Sequence, residues 1–168
     1  MRSDLEHKQH APASVRCYVI TVSDTRTEDT DISGRTIVER LTEAGHHIAG
    51  RVIVKDDAAL VRSTIERQLA SGDVDAIITT GGTGISSRDT TYEVVDSLLQ
   101  KRLDGFGEIF RMLSYQEIGS SAMMSRATAG LAARHVVIAL PGSERAVRLA
   151  MDKLVVPELG HLVQQARK

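Results

Sequence analysis

Four short runs rich in β-branched residues, each followed by a segment of helical periodicity, constrain this chain more than any other feature of it. They are residues 15–22 (VRCYVITV), 48–54, 76–80 and 136–140. Each is nearly continuous in hydrophobicity rather than alternating, which suits strands covered on both faces in a parallel sheet. Between them, residues 33–44 place Ile37, Val38, Leu41 and Ala44 on one helical face, with Ser33 as the expected cap and Gly45 as the stop. Residues 57–71 and 90–100, the segment carrying Ile109, Phe110 and Leu113, residues 144–154 and a last segment after Pro157 repeat the helical pattern. Residues 119–130 are mixed in pattern and receive no assignment. Alternating strands and helices imply right-handed crossovers, so the expected fold class is α/β: a single three-layer domain, its mostly parallel sheet covered by helices on both faces. A length of 168 residues with 42% hydrophobic content fits one domain with a full core. It is expected to span 15–168, behind a polar, flexible arm at 1–14.

In such a sheet the carboxyl ends of all parallel strands share one edge, and that edge is where open α/β sheets bind ligands. It gathers Ser23, Asp24, Asp56, residues 81–89, and Pro141, Gly142 and Ser143. The stretch Thr79-Thr80-Gly81-Gly82-Thr83-Gly84-Ile85-Ser86-Ser87-Arg88-Asp89 reads as strand, glycine turn and helix start. Glycines 81, 82 and 84 let backbone amides converge on an anion with no Cβ in the way, so residues 81–84 are expected to meet phosphate through their amides. Arg88 adds a cation for phosphate oxygens, and Asp89 a hard oxygen ligand suited to magnesium. The P-loop lysine and the G-x-G-x-x-G spacing are both missing, and on local pattern alone an ordinary βα turn fits equally well. Asp57 reads as a helix N-cap, whereas Asp56, at the end of the second strand, has no such duty. Acidic residues at 24, 28, 29 and 31 suit either a cation or a solvated, helix-capping loop.

Other chemistries lose support one by one. A formal charge of −1 and a pI near 6.6 give no bulk attraction to nucleic acid or an anionic membrane. No Trp, three Tyr and two Phe leave little on which bases could stack. The single Cys17 sits in an apolar run, where a free thiol behaves as a small hydrophobe. No apolar stretch approaches membrane-spanning length and no signal-peptide core precedes the domain, so the expected address is the cytoplasm. The six histidines have no metal-ligand spacing, and no G-x-S-x-G elbow is present. What remains is equipment for positioning phosphates beside a hard divalent cation. Nucleotidyl transfer fits it, since an ionised phosphate attacks without a general base.

Read as an ordered set, several motifs point further: Thr21-Val22-Ser23-Asp24, Ile32-Ser33-Gly34, Gly81-Gly82-Thr83-Gly84 with Arg88-Asp89, Gly105-Phe106-Gly107-Glu108 with Ser114, Ser125-Arg126-Ala127, and Leu140-Pro141-Gly142-Ser143. From about residue 15 to the last helix the chain resembles the MoaB/Mog family of molybdenum-cofactor biosynthesis proteins, closest to the MoaB branch. The resemblance implies trimers or hexamers and a magnesium-dependent transfer of AMP from ATP to the terminal phosphate of molybdopterin, with release of pyrophosphate. Carried over by position, Asp89 and Asp56 become the catalytic candidates, with Asp89, joined by Asp56, holding magnesium. Ser23, Asp24, Gly81, Gly82, Thr83, Gly84, Arg88, Ser114, Ser125, Arg126, Pro141, Gly142 and Ser143 become substrate-binding candidates. The family's usual Pro-Asp at the end of the second strand is Lys55-Asp56 here.

Two other readings stand beside this one. A non-catalytic paralogue would hold molybdopterin or its nucleotide within a complex of pathway proteins; the retained Asp89 argues against it. A nicotinamide-dependent oxidoreductase would place a ribose-binding acid at Asp56, but the first βα loop has no glycine before Gly34.

Overall fold

The structure, a computed structural model, describes residues 11–168. The strands are β1 (Arg16–Val22), β2 (His47–Val54), β3 (Ala76–Thr80), β4 (Lys101–Arg102), β5 (Thr128–Ala132) and β6 (His135–Leu140). The helices are α1 (Ile32–Glu43), α2 (Ala58–Ser71), α3 (Thr91–Leu98), α4 (Asp104–Ile118), α5 (Glu144–Ala150) and α6 (Val156–Arg167). One six-stranded sheet runs in the order β2-β1-β3-β6-β5-β4, parallel through β6, with β5 antiparallel to both its neighbours. Successive strand residues point to opposite faces, and the apolar runs divide accordingly. Val19, Ile78 and Ile138 pack with Ile37, Leu41, Phe110, Val147, Leu159 and Val163 from α1, α4, α5 and α6. Their neighbours Ile20, Ile77 and Val137 pack with Val61, Ile65, Val94 and Val95 from α2 and α3. Continuous hydrophobicity is thus what a doubly covered strand requires, and the three layers follow. Most of the expected N-terminal arm lies outside the described residues; Ala11 and Pro12 lie against Gly160, where a Cβ would come within 2.9 Å of the Pro12 carbonyl.

The structure corrects several boundaries. The N-cap of α1 is Asp31, not Ser33: its carboxylate accepts from the Gly34 amide at 2.9 Å, the Thr21 hydroxyl at 2.7 Å and Arg51 at 2.6 Å. Asp31 is fully buried; burial works to raise its pKa, and these bonds outweigh it and hold the carboxyl low. Ser33, released from capping, donates to the Gly142 carbonyl at 2.7 Å. Helix α3 stops at Leu98 because the chain turns into β4, and residues 119–130 resolve into a 3-10 turn (Gly119–Met124) and β5. A π-helical turn, Met151–Val155, joins α5 to α6 just before Pro157, whose missing N–H removes an α-helical bond at that point.

Candidate active site

The strand order changes direction between β1 and β3, since β2 lies outside β1 while everything after β3 lies on its other side. At the carboxyl end of that pair sit the Ser23-Asp24 loop and the glycine loop, the place where an open sheet forms its crevice. The strands come so close there that a Cβ on Gly81, at φ +94°, would lie 2.3 Å from the Val22 carbonyl oxygen. Gly81 also spends its amide, donating to Leu140 at 3.1 Å, so it drops out of the expected phosphate-binding set. The next four amides, those of Gly82, Thr83, Gly84 and Ile85, donate to no acceptor among the described residues. The Gly82 carbonyl receives the Thr91 amide at 2.9 Å, which ties the loop to the start of α3.

Three carboxylates and one arginine surround the loop. Arg88 pairs with Asp24, and the other oxygen of Asp24 accepts the Asp56 amide at 3.1 Å, so the ends of β1 and β2 and the glycine loop are linked. The Arg88 hydrogen bond, then the Asp56 amide, hold the Asp24 carboxyl below its ordinary value. Asp56 moves the other way: burial, then the charges of Asp89 and Asp24, push its pKa up. Its Oδ1 is buried without a hydrogen-bond partner and would lie 3.3 Å from a Cβ placed on Gly82. Asp89 does not cap α3, whose N-cap is Thr90; its Oδ2 accepts the Ser86 amide at 3.1 Å and the Ser86 hydroxyl at 2.7 Å. Asp57 does cap α2, accepting from Leu60 at 2.9 Å, which leaves Asp56 clear of that duty.

The remaining expected residues divide into two groups. Ser114, Ser125, Pro141 and Ser143 line a cleft of about 90 Å³ together with Glu117 and Arg145, which pair at 3.0 Å. Gly142 links this cleft to the loop, for its Cβ position lies 3.3 Å from Gly81 Cα. The hydroxyls of Ser23 and Ser143 bond their own backbone instead: Ser23 accepts from Thr25 and Arg26 at 3.2 and 3.1 Å, and Ser143 caps α5 through Ala146 at 3.3 Å. Arg126 reaches under the glycine loop to the carbonyls of Thr83 and Gly84 and pairs with Glu93. Sequence reasoning overlooked Glu93, Ser86, Thr91 and the Ile85 amide. Only Ser86 carried a local signal, its three-residue spacing from Asp89.

The donor set suits magnesium rather than a caged metal. Among the described residues no three His, Cys, Asp or Glu side chains converge to hold a metal ion. A cation beside the unpartnered Asp56 oxygen and Asp89 would draw its other ligands from water and substrate phosphates, as magnesium does. Open amides at 82–85 close to the Asp56 and Asp89 carboxylates are the kinds of group that suit a polyphosphate and its counter-ion.

Comparison with known proteins gives the family and the fold. Residues 18–161 match the family described as a probable molybdopterin binding domain. Molybdenum cofactor biosynthesis protein B of Bacillus subtilis is 54% identical over 164 residues, 97% of this chain and 96% of that protein. A crystal structure of a molybdenum cofactor biosynthesis protein B superposes with a TM-score of 0.90 at 52% identity, covering 94% of this chain and 99% of the other. The tungsten cofactor synthesizing protein MoaB from Pyrococcus furiosus gives 0.84 at 38% identity, covering 94% of this chain and all of that one.

Proposed function

The chain belongs to the molybdopterin-binding domain family and is a homologue of molybdenum cofactor biosynthesis protein B, and from that premise we propose that it adenylylates molybdopterin, using ATP and magnesium. The observation that carries the reading is the run of four amides at 82–85 without an acceptor among the described residues, on a loop that also meets Asp56 and Asp89. In the reaction an oxygen of the terminal molybdopterin phosphate bonds to the α-phosphorus of ATP. The bond from that phosphorus to the bridging oxygen breaks, and pyrophosphate leaves with the electron pair. The attacking oxygen is already ionised, so no side chain need take a proton.

The residues align and neutralise. The amides of Gly82 to Ile85 hold phosphate oxygens in fixed directions, and Arg88 exchanges Asp24 for a phosphate on the exposed side. Asp89 and Asp56 would hold magnesium, which when bound offsets the repulsion between two anionic phosphates. Ser114 and Ser125 supply hydroxyls in the adjoining cleft. The chain acts as a homo-oligomer, a trimer or hexamer, and works in the cytoplasm; among the described residues no helix is long and apolar enough to cross a membrane. Purified protein mixed with molybdopterin, ATP and magnesium should yield adenylylated molybdopterin and pyrophosphate by mass spectrometry. Molybdopterin binding without product would replace this reading with that of a carrier.

A further inference from the structure

We propose that Arg126 is a positioning residue that sets the direction of the open amides, acting through the glycine loop rather than touching the substrate. Its Nε donates to the Thr83 carbonyl at 2.9 Å and its Nη2 to the Gly84 carbonyl at 2.6 Å. Nη1 pairs with one oxygen of Glu93, Nη2 approaches the other at 3.4 Å, and the guanidinium carbon lies 4.7 Å from the centre of the Tyr92 ring. Four of its five N–H groups are thereby committed to protein acceptors, and one face is covered by an aromatic ring. Little is left with which to bind an anion.

The consequence follows from the peptide bond. In a planar trans peptide the carbonyl and the next N–H point in opposite directions. Two consecutive carbonyls drawn to one guanidinium therefore turn the amides of Gly84 and Ile85 away from it. Glycine at 82 and 84 makes this backbone path accessible but does not select it, because glycine has many conformations of similar energy. The selection comes from Arg126, fixed on α3 by Glu93 and Tyr92. Only a fork with several N–H groups in one plane can bridge two carbonyls and a carboxylate together, a geometry that lysine lacks.

The anion-binding consequence rests on the functional reading above, whereas the loop geometry does not, and the experiment separates them. Arg126→Lys, Arg126→Gln and Glu93→Gln are compared with the wild type by hydrogen exchange at Ser86, Asp89 and Thr91, whose amides carry the loop's internal bonds. Pyrophosphate affinity is measured in parallel by calorimetry. Both Arg126 variants should exchange at least about tenfold faster at those three amides, with the β3 amides unchanged. Glu93→Gln, which removes the charge that fixes the guanidinium, should do the same to a smaller degree. Pyrophosphate affinity should fall about tenfold in Arg126→Lys although its charge is kept. Wild-type exchange and affinity in Arg126→Lys would overturn the proposal, as would lost affinity in Arg126→Gln with loop exchange unchanged. A wild type that does not bind pyrophosphate would defeat the functional reading, and the exchange rates would still decide the role of Arg126.

Discussion

Gly82 faces Thr91 so closely that a Cβ at position 82 would lie 2.1 Å from the Thr91 hydroxyl oxygen, while the backbone at 82 sits at φ +69°. Any side chain there meets two separate obstacles, a left-handed backbone and the first turn of α3. Gly82→Ala should cost about 2 kcal/mol of stability, on the order expected for such strain. Thr91→Ala alone should be nearly neutral, because that hydroxyl is buried with no partner. The double variant should recover part of the loss and retain the φ component. Denaturant unfolding of the three variants checks this, and a fully additive pair would show that Thr91 is not the obstacle. Gly82→Val, for the same reason, damages the fold before it can report on ligand exclusion.

Asp89 can be separated from a capping role because Thr90 occupies the N-cap position of α3 and the Asp89 carboxylate accepts from Ser86 instead. Asp89→Asn keeps an acceptor for Ser86 and loses the charge. It should fold normally and slow adenylyl transfer by roughly a hundredfold or more if charge neutralisation supplies several kcal/mol. Wild-type turnover at saturating magnesium would sink the assignment.

Asp56 carries an opposite signature in stability. Its pKa is raised in the folded state by burial and by Asp89 and Asp24. Such a group stabilises the fold most when protonated, below the unfolded value near 4, and that contribution is lost as pH rises through the folded value. At neutral pH its ionised form is therefore a burden, and Asp56→Asn should raise the melting temperature at pH 7 while abolishing turnover. Added magnesium should raise the wild-type melting temperature more than that of the variant. A lowered Asp56→Asn melting temperature at pH 7 would contradict the electrostatic reading.

Those contrasts show which parts of the molecule its amino-acid sequence displays. β1, β3 and β6 are legible because burial on two faces demands β-branched runs such as Val19-Ile20, Ile77-Ile78 and Val137-Ile138. β5 (TAGLA) has no β-branched residue after Thr128, and β4 is two polar residues, so neither carries a periodic signal. Ser33 resembled a cap because serine commonly is one, yet Asp31 has the better acceptor and the Thr21, Gly34 and Arg51 partners brought by tertiary structure. Within the site, Asp56 and the glycine loop are visible as residue types at a strand end. The use of Arg126 is not, since nothing in a one-dimensional pattern tells a guanidinium aimed at main-chain carbonyls from one aimed at a phosphate.

Asp75 gives the fold an acid limit. It is 8% exposed and lies 2.9 Å from both Arg16 and Arg167, joining β1 to the end of α6. Burial works to raise its pKa, and hydrogen bonds from the Arg16 side chain and amide and from Arg167 outweigh it, holding the carboxyl well below the usual range. A depressed carboxylate stabilises the fold above the unfolded value near 4 and loses that contribution as pH falls toward the folded one. Asp75→Asn should therefore cost about 1–2 kcal/mol at pH 7, and the gap to wild type should close below pH 4. An unchanged gap at pH 3 would remove Asp75 from the acid limit.

The proposed oligomer has a definite candidate face. Phe110 is in the core, whereas Met112 and Met123 are 54% and 77% exposed on α4 and the 3-10 turn after it, where Tyr115 and Met124 are also exposed. Large exposed apolar side chains clustered in one region mark an interaction surface. Light scattering at micromolar concentration should give a homo-oligomer, and Met112→Glu with Met123→Glu should shift it to monomer. A monomeric wild type would refute the assignment.

If the four consecutive open amides hold the phosphates as proposed, recognition is a property of the main chain, and that has a consequence for reading mutational data. Alanine scanning deletes side-chain atoms and leaves every N–H in place. A scan across 82–85 would therefore report how well each position tolerates deformation, largest at the two glycines and small at exposed Ile85, and would be blind to the groups proposed to hold the anion. Replacing single peptide bonds with esters by chemical ligation removes one donor at a time, and is the form of substitution to which this loop can answer.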